Sequence, residues 1–273
     1  HHHVYSHIHM LLTSTESQLV LIDYQTRLLP SIHEGNLVLA QALKLAQIAK
    51  LLSVPTIGTE QNPDGLGPID PALKAFCAQI LAKTHFDACA EGLGDLLRDI
   101  GTPKPSPNAR SMPKHMQKEP ENQRPTIVLA GMETHVCFLQ TALSLIEEEF
   151  DVWVVADACG SRTERDRDAA FDRLAGNGAE LVTVEMVAFE WLRSSDHPAF
   201  DEVLALLKTL HGEGRTIILI THDAKVAAHA ERIIEISDGR ITEGRLHIVD
   251  GDFRECAPGV DGLVWAVIIA SLV

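Results

Sequence analysis

The sequence predicts a doubly wound α/β domain, and three observations carry that expectation. Short apolar runs alternate along the chain with stretches of helical periodicity, the pattern of a parallel sheet flanked by helices. Residues 18–23, 79–83 and 126–130 are such runs, and each leads into a residue able to do chemistry: Asp23, Lys83 and Cys137. In open α/β sheets, ligands bind beyond the carboxyl ends of the strands, where strand order reverses. An acid, an ammonium and a thiol gathered there form a candidate catalytic constellation.

Taken in order, the histidine-rich first residues (1–10) read as a tag or leader, with Met10 a natural start. The run Gln18-Leu-Val-Leu-Ile-Asp23 is apolar until its last residue, as a buried strand ending at a sheet edge should be. Gln79-Ile-Leu-Ala-Lys83 repeats the pattern with a cation at its end. Residues 101–125 are proline-rich and aperiodic, and read as an insertion, either a flexible loop or a lid. Thr126-Ile-Val-Leu-Ala130 is β-branched and apolar, Gly131 breaks it, and an amphipathic helix is expected over residues 134–149.

That helix places Cys137 in its first turn, near unpaired N–H groups and the positive end of the helix dipole. Both favour a thiolate, so a lowered thiol pKa is expected there. Taken alone, Cys137 reads first as a buried core cysteine, whereas Asp23 reads equally as a loop cap and Lys83 equally as a solvated surface residue.

Leu-Ile-Asp23-Tyr-Gln25, Lys83-Thr-His-Phe86 and Gly131-Met-Glu-Thr-His-Val-Cys137 resemble the signature segments of isochorismatase-like cysteine hydrolases. Val155-Ala-Asp157-Ala-Cys-Gly-Ser161-Arg and Thr183-Val-Glu185-Met resemble two later segments in the same order. The resemblance spans residues 12–210. It implies a Rossmann-like, six-stranded parallel sheet flanked by helices, and a catalytic triad of Asp23, Lys83 and Cys137. It also implies a cis peptide between Met132 and Glu133, and an oxyanion hole made by the backbone N–H groups of Glu133 and Cys137. The reaction implied is hydrolysis of a small amide or related C–N bond through a thioester. A vinyl-ether hydrolase and a catalytically idle scaffold are the alternatives.

Tyr24, Gln25, Phe86, Met132 and Thr134 adjoin those positions and are candidates to line the substrate pocket. Tyr24 and Phe86 read equally as packing. Gln25 is a candidate partner for Lys83 or substrate, Thr134 a candidate helix cap, and His85 is undecided. Members of the superfamily that act on nicotinamide bind a metal through Asp-x-His and a further His. The corresponding stretch here, residues 59–67, contains no histidine. No metal and no cofactor are therefore expected.

Residues 213–241 resemble the switch-histidine region of ABC transporter ATPases, with His222 in the place of the γ-phosphate contact. The chain contains no Gly-x-x-x-x-Gly-Lys-Ser/Thr loop to cradle a phosphate, so residues 211–273 read as an extension and not as an ATPase. The domain organisation expected is a leader (1–10), a hydrolase domain (11–210) and that extension. Residues 262–273 are apolar and read as a buried strand, an oligomer contact or an aggregation-prone tail.

Bulk properties exclude some partners. A net charge of -15 opposes binding to nucleic acid, and no run reaches the length of a membrane span. Five cysteines without disulfide or metal spacing fit a reducing cytoplasm. A small-molecule substrate and a homo-oligomer are the partners expected.

Overall fold

A computed structural model describes residues 11–102 and 122–208, and the backbone of four strands beyond them. The chain divides into two compact units, His1–Ala199 and Phe200–Val273.

In the first unit, β1 (Ser17–Ile22) is buried at every position, which its run of Leu, Val and Ile dictates. It leads through a short turn to α1 (Gly35–Leu51), β2 (Thr56–Gln61) and the single-turn helices α2 (Pro63–Leu66) and α3 (Pro71–Lys74). Both short helices carry proline in their first turn, where its missing N–H costs nothing. Then follow β3 (Gln79–Lys83), α4 (Leu93–Gly101) and β4 (Thr126–Gly131). A π turn (Thr134–Phe138) runs into α5 (Leu139–Glu147), followed by β5 (Asp151–Val155). Helix α6 (Glu164–Gly176), β6 (Glu180–Val182) and α7 (Val184–Leu192) complete the unit. Thr163 and Thr183 cap α6 and α7 by accepting from the N–H groups of Asp166 and Met186.

The six strands form one parallel sheet of order β3-β2-β1-β4-β5-β6. The chain walks outward from β1 to β3, then crosses back to place β4 on the other side of β1. Strand order therefore reverses between β1 and β4, and the region beyond their carboxyl ends is where doubly wound sheets bind ligands. There Ile22 pairs with Gly131 in register. A Cβ on Gly131 would stand 2.5 Å from the Ile22 Cβ and 2.6 Å from its carbonyl oxygen, so this close approach requires glycine.

The helix expected over residues 134–149 is present in altered form. Its first turn is π, with Phe138 N–H reaching the Glu133 carbonyl at 3.3 Å. The Thr134 N–H and hydroxyl both go to the Gly160 carbonyl, at 3.0 and 2.9 Å, so Thr134 ties the turn to the β5 side and does not cap the helix.

In the second unit, α8 (Phe200–Lys208) is followed by β7 (Ile218–Thr221), β8 (Ile233–Ser237), β9 (Arg240–Thr242) and β10 (Trp265–Ile269). These strands make a sheet of their own, ordered β7-β10-β8-β9, with β10 antiparallel to both neighbours. The apolar stretch 262–273 thus contributes a strand. His222 and most of the expected insertion, residues 103–121, lie outside the described residues.

Candidate active site

Asp23 follows the last residue of β1, with a left-handed backbone (φ 53°), and its side chain is fully buried. Lys83 ends β3, and its side chain is also fully buried. Two strands separate β3 from β4, yet the lysine side chain is long enough to reach back beneath the neighbouring strand ends. Its Nζ donates to Asp23 Oδ2 at 2.8 Å and to Gln61 Oε1 at 2.6 Å. It also faces the carbonyls of Phe86 and His85, at 3.2 and 3.4 Å. The Thr59 hydroxyl donates to the other carboxylate oxygen, Asp23 Oδ1, at 2.7 Å. A buried ion pair persists when its remaining lone pairs and protons find partners, and both ions satisfy that condition here.

Cys137 lies in the π turn, 7% exposed, with Sγ 3.9 Å from Gln61 Oε1. The expected depression of its pKa is not found. Burial pushes the thiol up to about 12, reinforced by the Asp23 charge, which Lys83 opposes; hydrogen bonding to Asp23 and the Glu133 charge raise it further. Desolvation of the anion and a facing carboxylate thus outweigh both the lysine and the local turn. These influences favour the protonated sulfur over the thiolate.

The Met132–Glu133 peptide is cis, as the resemblance implied. The Glu133 carboxylate accepts from Arg162 Nε at 2.9 Å and stands 3.8 Å from His135 Nδ1. The Val136 N–H donates to the Glu133 carbonyl at 3.0 Å. His135 Nδ1 also meets the Ser161 hydroxyl at 3.0 Å, so this histidine is engaged beside the turn.

The candidate pocket residues take different places. Tyr24 is 1% exposed, and its hydroxyl donates to the Ala158 carbonyl, an anchor across the sheet. Gln25 is buried and clamps β2: its Nε2 donates to the carbonyls of Gln61 and Gly67, and its Oε1 accepts from the Gln61 N–H. Met132, just past β4, and Thr134, which opens the π turn, are both buried. Phe86 is 52% exposed and contributes its carbonyl to Lys83. His85 turns outward to Glu91, 2.8 Å away. The Asp157 carboxylate accepts from the Val184 N–H at 2.9 Å and fixes the start of α7. Sequence reasoning passed over Thr59 and Gln61. Both lie on one face of β2 by its alternation, but what sets Gln61 beside Lys83 is strand register, which no local sequence pattern shows.

Among the described residues no group of three or more His, Cys, Asp or Glu is arranged to hold a metal ion. The arrangement can do proton transfer and nucleophilic attack: a carboxylate beside a thiol, a fixed cation behind both, and a turn of backbone N–H groups.

The isochorismatase domain model matches residues 17–186. Isochorismatase domain-containing protein 2 of Xenopus laevis is 37% identical over 191 residues, covering 70% of this chain and 83% of that one. Among solved structures, a MAR1 ribonuclease from Caenorhabditis elegans aligns with a TM-score of 0.61 and 33% identity, over 72% of this chain and 92% of that one. YcaC from Pseudomonas aeruginosa, solved with hexane-2,5-diol and covalent acrylamide, aligns at 0.60 and 26%, over 77% and 100%. The Escherichia coli YcaC product, described as an octameric hydrolase of unknown specificity, aligns at 0.57 and 29%, over 74% and 98%.

Proposed function

This chain belongs to the isochorismatase domain family, and from that premise we propose that it is a cysteine hydrolase cleaving a small amide or related C–N bond. The observation that carries the reading is the convergence of Asp23, Lys83 and Cys137 at the strand-order reversal, with Asp23 and Lys83 paired at 2.8 Å in full burial.

Substrate entry brings a carbonyl carbon to the thiol. The S–H bond breaks, its proton passes to Asp23, and the sulfur electron pair forms a C–S bond. The oxygen that becomes negative is received by the backbone N–H groups of Glu133 and Cys137, each such donor being worth roughly 3 kcal/mol of barrier. Collapse breaks the C–N bond, and the leaving amine takes the proton held by Asp23. Water then gives a proton to Asp23 as its oxygen attacks the thioester. The C–S bond breaks, the acid departs, and the proton returns to sulfur. Lys83 holds no proton in transit; its charge stabilises the anions on either side.

A thiol that ionises only during attack suits this scheme, because the carboxylate that opposes the resting thiolate is the base that removes its proton. The Pseudomonas aeruginosa neighbour, solved with covalent acrylamide, supports a nucleophile on this fold; acrylamide is attacked at its alkene carbon, so the adduct leaves the amide bond uncut. The octameric Escherichia coli neighbour supports a homo-oligomer. The Caenorhabditis elegans neighbour is described as a ribonuclease; a net charge of -15 gives this chain no overall attraction for a polyanion.

The test is release of amine from a panel of small amides by the wild-type chain and by Cys137→Ala. Loss of all turnover in the variant is expected. Turnover kept without the thiol would replace this reading with vinyl-ether hydrolysis, and an inert wild type whose Cys137 resists every thiol electrophile would favour the idle scaffold.

A further inference from the structure

Gln61 is where the buried ion pair and the thiol meet. It closes β2, pairs in register with Lys83, and is itself 7% exposed. Its contacts fix which way the amide faces. Nε2 donates to the Thr84 carbonyl at 2.7 Å, which only the NH2 end can do. Oε1 accepts from Lys83 Nζ at 2.6 Å, and an ammonium can only donate. Gln25 clamps the backbone on both sides, accepting from the Gln61 N–H at 2.8 Å and donating to its carbonyl at 2.9 Å. The oxygen held in this way is the one 3.9 Å from Cys137 Sγ.

An amide oxygen accepts a hydrogen bond from S–H, opposes S⁻ with its dipole, and is far too weak a base to take the proton. The charged groups that face the thiol are Asp23 from the end of β1, Lys83 from the end of β3 and Glu133 from the turn after β4. Lys83 is the cation among them, and its hydrogens are directed at Asp23, Gln61 and the carbonyls of Phe86 and His85. Resting on the cysteine-hydrolase reading, we infer that Gln61 is a positioning residue that competes with Asp23 for the resting thiol hydrogen while accepting from the Lys83 ammonium, so that the proton passes fully to Asp23 only when a bound substrate draws the sulfur toward it. Its consequence is a nucleophile guarded against stray electrophiles until substrate is bound.

The test needs no substrate: the rate of Cys137 alkylation by iodoacetamide is followed against pH by peptide mass on the full chain, beside thermal melts. Gln61→Met removes the acceptor and its opposing dipole from the sulfur at similar volume. Its profile is expected to level off about one pH unit below wild type, a tenfold gain in thiolate at a fixed pH. Gln61→Glu keeps an acceptor and adds a negative charge, so its profile is expected to move upward. A merely structural role would disturb the melts and move both profiles alike, and that result, or an unmoved profile in Gln61→Met, overturns the inference. Should Gln61→Met fail to fold, Gln61→Glu decides, and a downward or absent shift overturns it. Asp23→Asn separates the two readings. A shifted profile there with none in Gln61→Met discards the role of Gln61 alone, whereas no shift in either discards the Asp23-assisted mechanism as well.

Discussion

Lys83 Nζ stands 2.8 Å from Asp23 Oδ2, and neither side chain exposes any surface to solvent. The two residues are 60 positions apart in the chain and come from the ends of strands separated by β2. Such a pair is costly to desolvate and persists because Thr59, Gln61 and two carbonyls complete its hydrogen bonding.

Removing one partner of that pair should therefore harm the fold as well as the chemistry. Lys83→Met leaves the Asp23 charge buried and unpaired, with an expected loss of about 3–5 kcal/mol. Urea denaturation monitored by circular dichroism reads this directly. A loss below about 1 kcal/mol would mean that water reaches the carboxylate and that the pair is not sealed.

Thr59→Val tests the other oxygen of the same carboxylate. The valine is close in shape but cannot donate to Asp23 Oδ1 or accept from the Asp23 N–H. The lost hydrogen bond to a buried charge should cost about 1–3 kcal/mol in denaturant melts. Turnover should fall further than folding at the assay temperature, because Asp23 loses the contact that orients it. Equal melts and equal turnover in the two proteins would remove Thr59 from the site.

Alkaline stability follows from the cysteines. Burial raises Cys77 to about 11 and Cys137 to about 12, and raises Cys89 and Cys159 as well. A raised pKa means that the folded state holds the proton more tightly than the unfolded state. The stabilisation is thus complete below the unfolded value near 9 and is lost as pH rises through the folded values. Melting temperatures should hold from pH 7 to 9 and then decline. Cys77→Ser with Cys89→Ser should flatten part of that decline, and an identical decline in the double variant would assign it to other groups.

The residues at strand ends were legible because position in a parallel sheet is written in the local pattern: an apolar run, then a break. Asp23, Lys83 and Cys137 each follow such a run. Thr59 and Gln61 were not, since β2 reads Thr-Ile-Gly-Thr-Glu-Gln and looks polar, and its meaning comes from pairing with β3. Tyr24 looked like a pocket wall because it follows Asp23, but its hydroxyl partner, the Ala158 carbonyl, lies 134 residues away in sequence. The direction of the Cys137 pKa failed for a related reason. Helix position is a local property, whereas desolvation and the Asp23 charge depend on what the whole fold packs around the sulfur.

Gly131 offers the sharpest test of how the fold delivers the site. It stands at the reversal of strand order, opposite Ile22, and immediately precedes the cis peptide and the turn carrying Cys137. A methyl group there would meet the Ile22 Cβ at 2.5 Å and the Ile22 carbonyl at 2.6 Å, and backbone cannot step aside as a flexible side chain can. Gly131→Ala must push β1 and β4 apart where Asp23 and the π turn carrying Cys137 begin. Overpacking of this kind costs about 1–3 kcal/mol, so most of the protein should still fold. Misplacement of reacting groups by about 1 Å can lower a rate on the order of 100-fold, so turnover should collapse while the melt shifts modestly. The discriminating measurement is kcat on whichever amide the screen yields, at a temperature where both proteins are folded. A variant that retains wild-type kcat would show that the separation of β1 from β4 does not set the geometry of attack.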